Sequence, residues 1–223
     1  MSSILITGHL SGLGKELFLK LAKDGHQVIG YDIADGNDVT APHVSNIDEL
    51  DVLINCAGVN GIDFLENVTD DLWDRVVDTN AKGIYKMSQA CLPLLIKSQG
   101  TIVNIVSNAA TMPMTSSIAY NASKGAAKIM TAQMARELTR RHNITVFSVS
   151  PNKLAGTYMS DHIDDEVVRT RGWTKEYARE YQLAGLLAKE ETDPAMVAEF
   201  IAFLLQDKQH HKYLSGCDIP YGL

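Results

Sequence analysis

Short apolar runs alternate with helix-period segments along this chain, and that alternation restricts its fold more than any other feature. The strand-like runs fall roughly at residues 3–7, 27–31, 37–39, 51–55, 101–107, 143–149 and 213–219. Apolar residues at helical spacing cover roughly 12–24, 69–97, 120–141 and 193–206. Strands separated by helices can bury both faces only in a mostly parallel sheet with helices packed on each side. The expectation is an α/β protein with a doubly wound, mostly parallel, seven-stranded sheet. A chain of 223 residues can enclose one sizeable core without dividing, so residues 1–223 are expected to form a single domain.

The helices carry their own signals. Ala127, Met130, Met134 and Leu138 form the core stripe of the third. The last starts with Thr192 or Asp193 as cap and Pro194 at the first position, and should bury Val197, Ile201, Leu204 and Leu205. In the second, Asn80 lies within an apolar stripe of Trp73, Val76, Val77, Ile84, Met87 and Cys91, so it is either a satisfied structural amide or part of a site. Between Thr40 and Leu50 there is room for only a short turn, with Ile47 and Leu50 packing down on the sheet.

The first strand runs into Thr7-Gly-His-Leu-Ser-Gly12-Leu-Gly14 and then a helix with Leu13, Leu17 and Leu21 on one face. Glycines let the backbone turn tightly and approach a ligand, and free amides at a helix start attract an anion such as a pyrophosphate. A second strand, Gln27–Tyr31, leads into Asp32 about twenty residues further on, where a carboxylate could bind an adenosine ribose or simply make a turn.

Tyr120 and Lys124 are four residues apart on a helix, with Ser107 thirteen residues before the tyrosine in the run Thr101–Ser107. That spacing puts phenol and ammonium on one face, about 5–6 Å apart at Cβ. A phenol with a pKa of about 10 is a poor base at neutral pH unless a cation stabilises its phenolate. A polar helix face is the plainer alternative for the pair alone.

Together these residues resemble the short-chain dehydrogenase/reductase family over nearly the whole chain. Thr7, Gly8, Gly12 and Gly14 match its TGxxxGxG pattern, and Asn55-Cys-Ala-Gly58 is similar to its NxAG. Trp73–Asn80 looks like its asparagine-bearing helix, Ser107, Tyr120 and Lys124 fall at its spacings, and Tyr213–Gly222 is similar to its last strand and tail. The resemblance implies a Rossmann-type fold, Tyr120 as general acid/base, and Lys124 lowering its pKa while contacting the nicotinamide ribose. It further implies that Ser107 orients the substrate hydroxyl or carbonyl, and that Asn80 holds a water linking Lys124 to solvent.

For the cofactor it implies contacts from Gly8, Ser11, Gly12, Leu13, Gly14 and Asp32, from Asp38 and Val39 at the adenine, and from Asn55, Ala57 and Gly58 through the backbone. Asp32 would repel a 2′-phosphate, and the positions that carry arginine in NADP-using relatives are Ser11 and Ile33 here. NAD(H) is therefore expected over NADP(H). Pro151, Leu154 and Thr157 are the remaining cofactor contacts. There the family pattern departs: Asn152 replaces a glycine, whose left-handed conformation it can occupy at some cost, and Thr157 arrives one residue late.

Residues 158–191 are expected to cover the substrate. Their Trp173, Tyr177 and Tyr181 stripe either closes over it or docks on the body or on a second subunit. The expected reaction interconverts a secondary alcohol and a ketone. A catalytically inactive NAD(H)-binding protein of the same fold, or a sugar-nucleotide epimerase or dehydratase of a related fold, are the competing readings. Many relatives are dimers or tetramers through helices at 69–97 and 120–141, so a homodimer or homotetramer is expected.

A net charge of −7 without a basic stripe argues against nucleic-acid binding. Cys56, Cys91 and Cys217 are far apart without metal-ligand spacing, so free thiols and no metal are expected. His210-His211, beside a loop, are read as solvent-exposed. Neither a signal peptide nor an apolar run of membrane-spanning length is evident, so no membrane association and a cytoplasmic location are expected.

Overall fold

A computed structural model describes residues 1–222, with the side chains of Gln209 and His210 outside the description. Six parallel strands, β1 (Ser3–Thr7), β2 (Gln27–Tyr31), β3 (Val52–Asn55), β4 (Thr101–Ile105), β5 (Thr145–Pro151) and β6 (Asp218–Tyr221), form one sheet in the order β2-β1-β3-β4-β5-β6. The helices are α1 (Gly12–Lys23), α2 (Asp70–Val77), α3 (Gly83–Ser98), α4 (Ile118–His142), α5 (Tyr158–Arg171), α6 (Lys175–Ala184), α7 (Pro194–Leu205) and the short α8 (Lys208–His211).

Alternate residues on each central strand enter opposite cores, as a pleat covered on both faces requires. Ile4, Ile6, Val52, Ile54, Phe147 and Val149 pack with α1 and α7 through Leu17, Leu21, Val197 and Ile201. Leu5, Leu53, Ile102 and Val146 pack on the other face with Met87, Cys91 and Leu95 of α3 and with Leu138 of α4. Among the described residues β6 pairs with β5 alone, so the missing N–H of its Pro220 interrupts no ladder.

The expected seventh strand at 37–39 is absent, which leaves β2 at the edge. Asp38 folds back on its own turn, its Oδ1 accepting from Thr40 N and Thr40 Oγ1, both at 2.8 Å. The side chain of Tyr31 helps to fill the gap where a crossover helix would lie, its hydroxyl accepting from His43 N at 3.0 Å. Leu50 is fully buried beside Ile47, as the spacing predicts. The last strand also lies later than expected, since residues 212–214 form a 3-10 turn.

The expected helix 69–97 is interrupted by a π-turn at Asp78–Lys82, which bears Asn80. His211 is buried, correcting its expected exposure: its Nε2 lies 2.9 Å from Thr101 Oγ1, and burial pushes its imidazole pKa down. His210's side chain lies outside the described residues. Among the described residues no helix is long and apolar enough to cross a membrane.

Candidate active site

The chain leaves β1 toward β2 on one side and returns to β3 on the other, so strand order reverses at the carboxyl ends of β1 and β3. In open α/β sheets that crevice is where ligands bind. Thr7 closes its floor, its Oγ1 accepting from Cys56 N at 2.9 Å and Ala57 N at 3.0 Å. Glycine is required here by space: a Cβ on Gly8 would lie 2.9 Å from Ala57 Cα, and one on Gly14 2.0 Å from Gly8 O. Ser11 precedes α1 without capping it by its side chain, and Leu13 is buried behind the turn. Thr157, which caps α5 by accepting from Ser160 N at 3.1 Å, has its Cγ2 3.6 Å from where a Cβ of Gly12 would be. Two helix N-termini therefore meet over one glycine turn, an arrangement suited to an anion.

At the next strand end, Asp32 is half-buried, its Oδ2 accepting from Leu10 N at 3.2 Å and its Oδ1 from Ala34 N at 3.0 Å. Each oxygen keeps a lone pair for a further donor. Asp38 is turned into its own loop, and Val39 is buried in the core against Gly83, so neither side chain extends freely toward a ligand. Asn55 points beneath the crevice, with its Nδ2 donating to Asn104 Oδ1 at 2.8 Å.

Ser107, Tyr120, Lys124 and Asn80 come from β4's end, α4 and the π-turn to one place. Ser107 Oγ accepts from Ala109 N at 3.1 Å and acts to lower the pKa of the Tyr120 phenol. Burial raises the phenol's pKa against a lowering effect of Ser107, so the lowering by Lys124 that the resemblance implies does not set it here. Lys124 is 5% exposed, donates Nζ to Ile105 O at 3.0 Å, and stands 5.8 Å from the Tyr120 ring centroid. Burial pulls its ammonium down to about 8, against a raising effect of Cys56, whose own thiol burial pushes up to about 12.

Asn80 is fully buried. Its Oδ1 accepts from Val59 N and its Nδ2 donates to Val59 O, both at 2.8 Å, and Nδ2 also donates to Ser123 Oγ at 3.0 Å. Ser123 Oγ in turn donates to Tyr120 O at 2.8 Å. A Cβ on Gly58 would lie 3.3 Å from Asn80 Oδ1 and 3.7 Å from Lys124 Nζ, which places the turn after β3 directly over this group. Ser123 was not singled out by sequence; its place one residue before Lys124 on a helix gives no signal by itself.

Asn152 does not use the left-handed conformation open to it. Its N–H donates to Tyr221 O at 3.1 Å, prolonging the β5–β6 pairing, and its Oδ1 accepts from Thr192 Oγ1 at 2.6 Å. The extra residue is absorbed instead by Gly156, at φ +62°, which brings Thr157 back to the glycine turn. Pro151 is buried in β5, and Leu154 forms an isolated bridge with Thr192.

Residues 158–191 include α5 and α6, whose bounds were not read from the sequence: Thr157 and Gly172 bound the first, and Thr174 accepts from Tyr177 N at 3.3 Å at the second. Trp173 packs with Ile62, Val167 and Ala178, so one member of the aromatic stripe docks on the body. Tyr177 and Tyr181 meet its ring edge-on at 4.9 and 5.0 Å and stay half-exposed.

The chain has relatives in both sequence and structure. It is 29% identical to the 3-oxoacyl-(acyl-carrier-protein) reductase FabG of Staphylococcus aureus, covering 96% of this chain and 94% of that protein. It is 29% identical to the FabG of Thermotoga maritima, covering 95% and 92%. Its fold matches NAD+-bound xylitol dehydrogenase with a TM-score of 0.90 at 22% identity, over 100% of this chain and 98% of that one. It matches an actinorhodin polyketide ketoreductase with NADPH at 0.86 and 24% identity, over 98% and 95%. The family model for short chain dehydrogenases matches residues 31–167 of the 223. With a Rossmann-type sheet and these oxidoreductase relatives, the chain belongs to the short-chain dehydrogenase/reductase family.

Proposed function

We propose that this protein is an NAD(H)-dependent oxidoreductase that interconverts a secondary alcohol and a ketone, with Tyr120 as general acid/base. The observation that carries this reading is the convergence of Ser107, Tyr120, Lys124 and Asn80 beside a glycine cradle at the strand-order reversal. The residues present fit a dinucleotide: a Cβ would fill the cradle at Gly8 and Gly14, and two helix N-termini face the place of a pyrophosphate. Gly8, Ser11, Gly12, Leu13, Gly14 and Thr157 would hold the phosphates. Asp32 would hold the adenosine ribose, the backbone of Asp38 and Val39 the adenine, and Asn55, Ala57, Gly58, Pro151 and Leu154 the nicotinamide half.

When bound, the nicotinamide accepts or supplies the hydride at the carbinol carbon. Tyr120 takes the substrate hydroxyl proton in oxidation and returns it in reduction. Ser107, fixed by Ala109 N, donates to the substrate oxygen and keeps it beside the phenol. Lys124 stabilises the phenolate through space and would reach a ribose hydroxyl. Asn80 holds the turn after β3 against α4 through Val59 and Ser123 and would present a water to Lys124.

Solved relatives hold either NADPH or NAD+, so the fold leaves the choice to local residues. The Asp32 carboxylate, next to an exposed Ile33, favours NAD(H). The substrate is a small alcohol or ketone under the α5–α6 lid. Exposed Tyr85 and Ile96 on α3 and Ile118 and Ile129 on α4 favour a homodimer or homotetramer, which sedimentation tests.

The function is tested by NADH fluorescence titration followed by a panel of secondary alcohols and ketones. Tyr120→Phe should lower turnover by at least about 10²–10⁴-fold with NADH binding intact. Tight NADH binding without turnover on any panel member would favour a binding-only role.

A further inference from the structure

One largely buried cation has no part in the glycine cradle or the catalytic group. Lys153, in the turn after β5, has a side chain 10% exposed, and its ammonium pairs with Asp164 of α5 and, at 3.0 Å, with Glu191. Asp164 also accepts from Gln182 Nε2 of α6 at 2.8 Å, and Glu191 from Ser160 Oγ of α5 at 3.4 Å. The backbone follows the same path, with Thr192 N donating to Lys153 O and Ala155 N to Thr192 O, both at 2.9 Å. One ammonium thus joins the turn after β5, both lid helices and the connection to α7. At the far end of α5 the lid is held separately: Arg169 donates to Ile62 O at 3.1 Å and Arg171 to Thr115 O at 2.9 Å.

We infer that Lys153 is a positioning residue that clamps the lid to the nicotinamide-facing turn, so that ordering this turn and closing the lid become one event. This rests on the reading of residues 151–157 as cofactor-facing. The physics lies in the charge count: Asp164 and Glu191 share a single ammonium at low exposure. Removing it leaves two carboxylates facing each other in a poorly hydrated space, which drives them apart. Arginine preserves the charge and can bridge two carboxylates, whereas methionine preserves only the stem.

The test is amide hydrogen exchange over residues 158–184 in the full chain, with and without NADH, beside NADH fluorescence titration. In K153M, exchange there should be at least about tenfold faster than in wild type in both conditions, with β1, β3 and β4 unchanged. K153R should stay within about threefold of wild type, and adding Asp164→Asn and Glu191→Gln to K153M should restore most of the protection. Wild-type exchange in K153M, or an equal loss in K153R and K153M, would overturn the clamp. Failure of wild type to bind NADH would instead overturn the proposed function, while the NADH-free exchange still judges the clamp.

Discussion

Lys124 donates its Nζ to Ile105 O at 3.0 Å, so the helix bearing Tyr120 is tied to β4 by a cation buried among core residues. An ammonium at 5% exposure whose pKa falls from 10.5 to about 8 destabilises the fold below that pH. At 1.36 kcal/mol per unit the cost is roughly 3 kcal/mol, less about 1 kcal/mol for the hydrogen bond it makes. Lys124→Met should therefore abolish turnover yet raise Tm at pH 7 by a few degrees, roughly 2–4 °C per kcal/mol. The sign with pH follows from proton counting. Between about 8 and 10.5 the unfolded chain binds more protons, so wild-type stability rises over that window and the advantage of the variant shrinks. Thermal melts of both proteins at pH 7 and pH 10 check this; a variant that melts lower at pH 7 refutes it.

The phenol of Tyr120 is raised by burial and lowered by Ser107. Alcohol oxidation needs the phenolate, so its kcat/KM should climb with pH through the alkaline range, while ketone reduction, which needs the phenol, should be flat near neutrality and fall at alkaline pH. Ser107→Ala removes the lowering partner and should move the oxidative limb to higher pH besides reducing the rate. The pH profile of each protein in both directions checks this, and an unmoved limb in Ser107→Ala counts against the lowering effect of Ser107.

His9 seats its ring over Gly30, where a Cβ would lie 2.2 Å from Nε2, and packs tilted against Phe18 at 5.3 Å between centroids. Gly30→Ala should destabilise by about 1–3 kcal/mol through overpacking. Adding His9→Ala should recover at least half of that, because the two residues are in contact and their effects couple. Urea unfolding of the two single variants and the double measures the coupling; strict additivity would show that the ring is free to move.

Asp32 serves two neighbours already, Leu10 N and Ala34 N, while offering lone pairs at the expected ribose position. Asp32→Ala should weaken NADH binding by about tenfold, the loss of one charge-assisted hydrogen bond of about 1.5–3 kcal/mol partly replaced by water. NADPH, relieved of repulsion, should not weaken. Paired fluorescence titrations check the ratio, and an equal loss for both cofactors would assign Asp32 to loop structure alone.

The sequence by itself determined what short windows encode. The glycine turn between β1 and α1, the Tyr120–Lys124 spacing on α4, and the Asp193 and Pro194 start of α7 depend on local backbone and side-chain rules, and all stand where the spacing puts them. Tertiary structure decided what needs a distant partner. Asn37–Val39 has one strand former, Val39, and no neighbour to pair with, so Asp38 satisfies its own turn. Asn152 stays extended because Tyr221 accepts its N–H. The π-turn fits Asn80 to Val59 and Ser123, and Lys153 finds Asp164 and Glu191 only once α5 and the start of α7 are in place. Hydrogen bonds and ion pairs between residues far apart in the chain leave no periodic trace in sequence, because chain distance and spatial distance are joined only by folding.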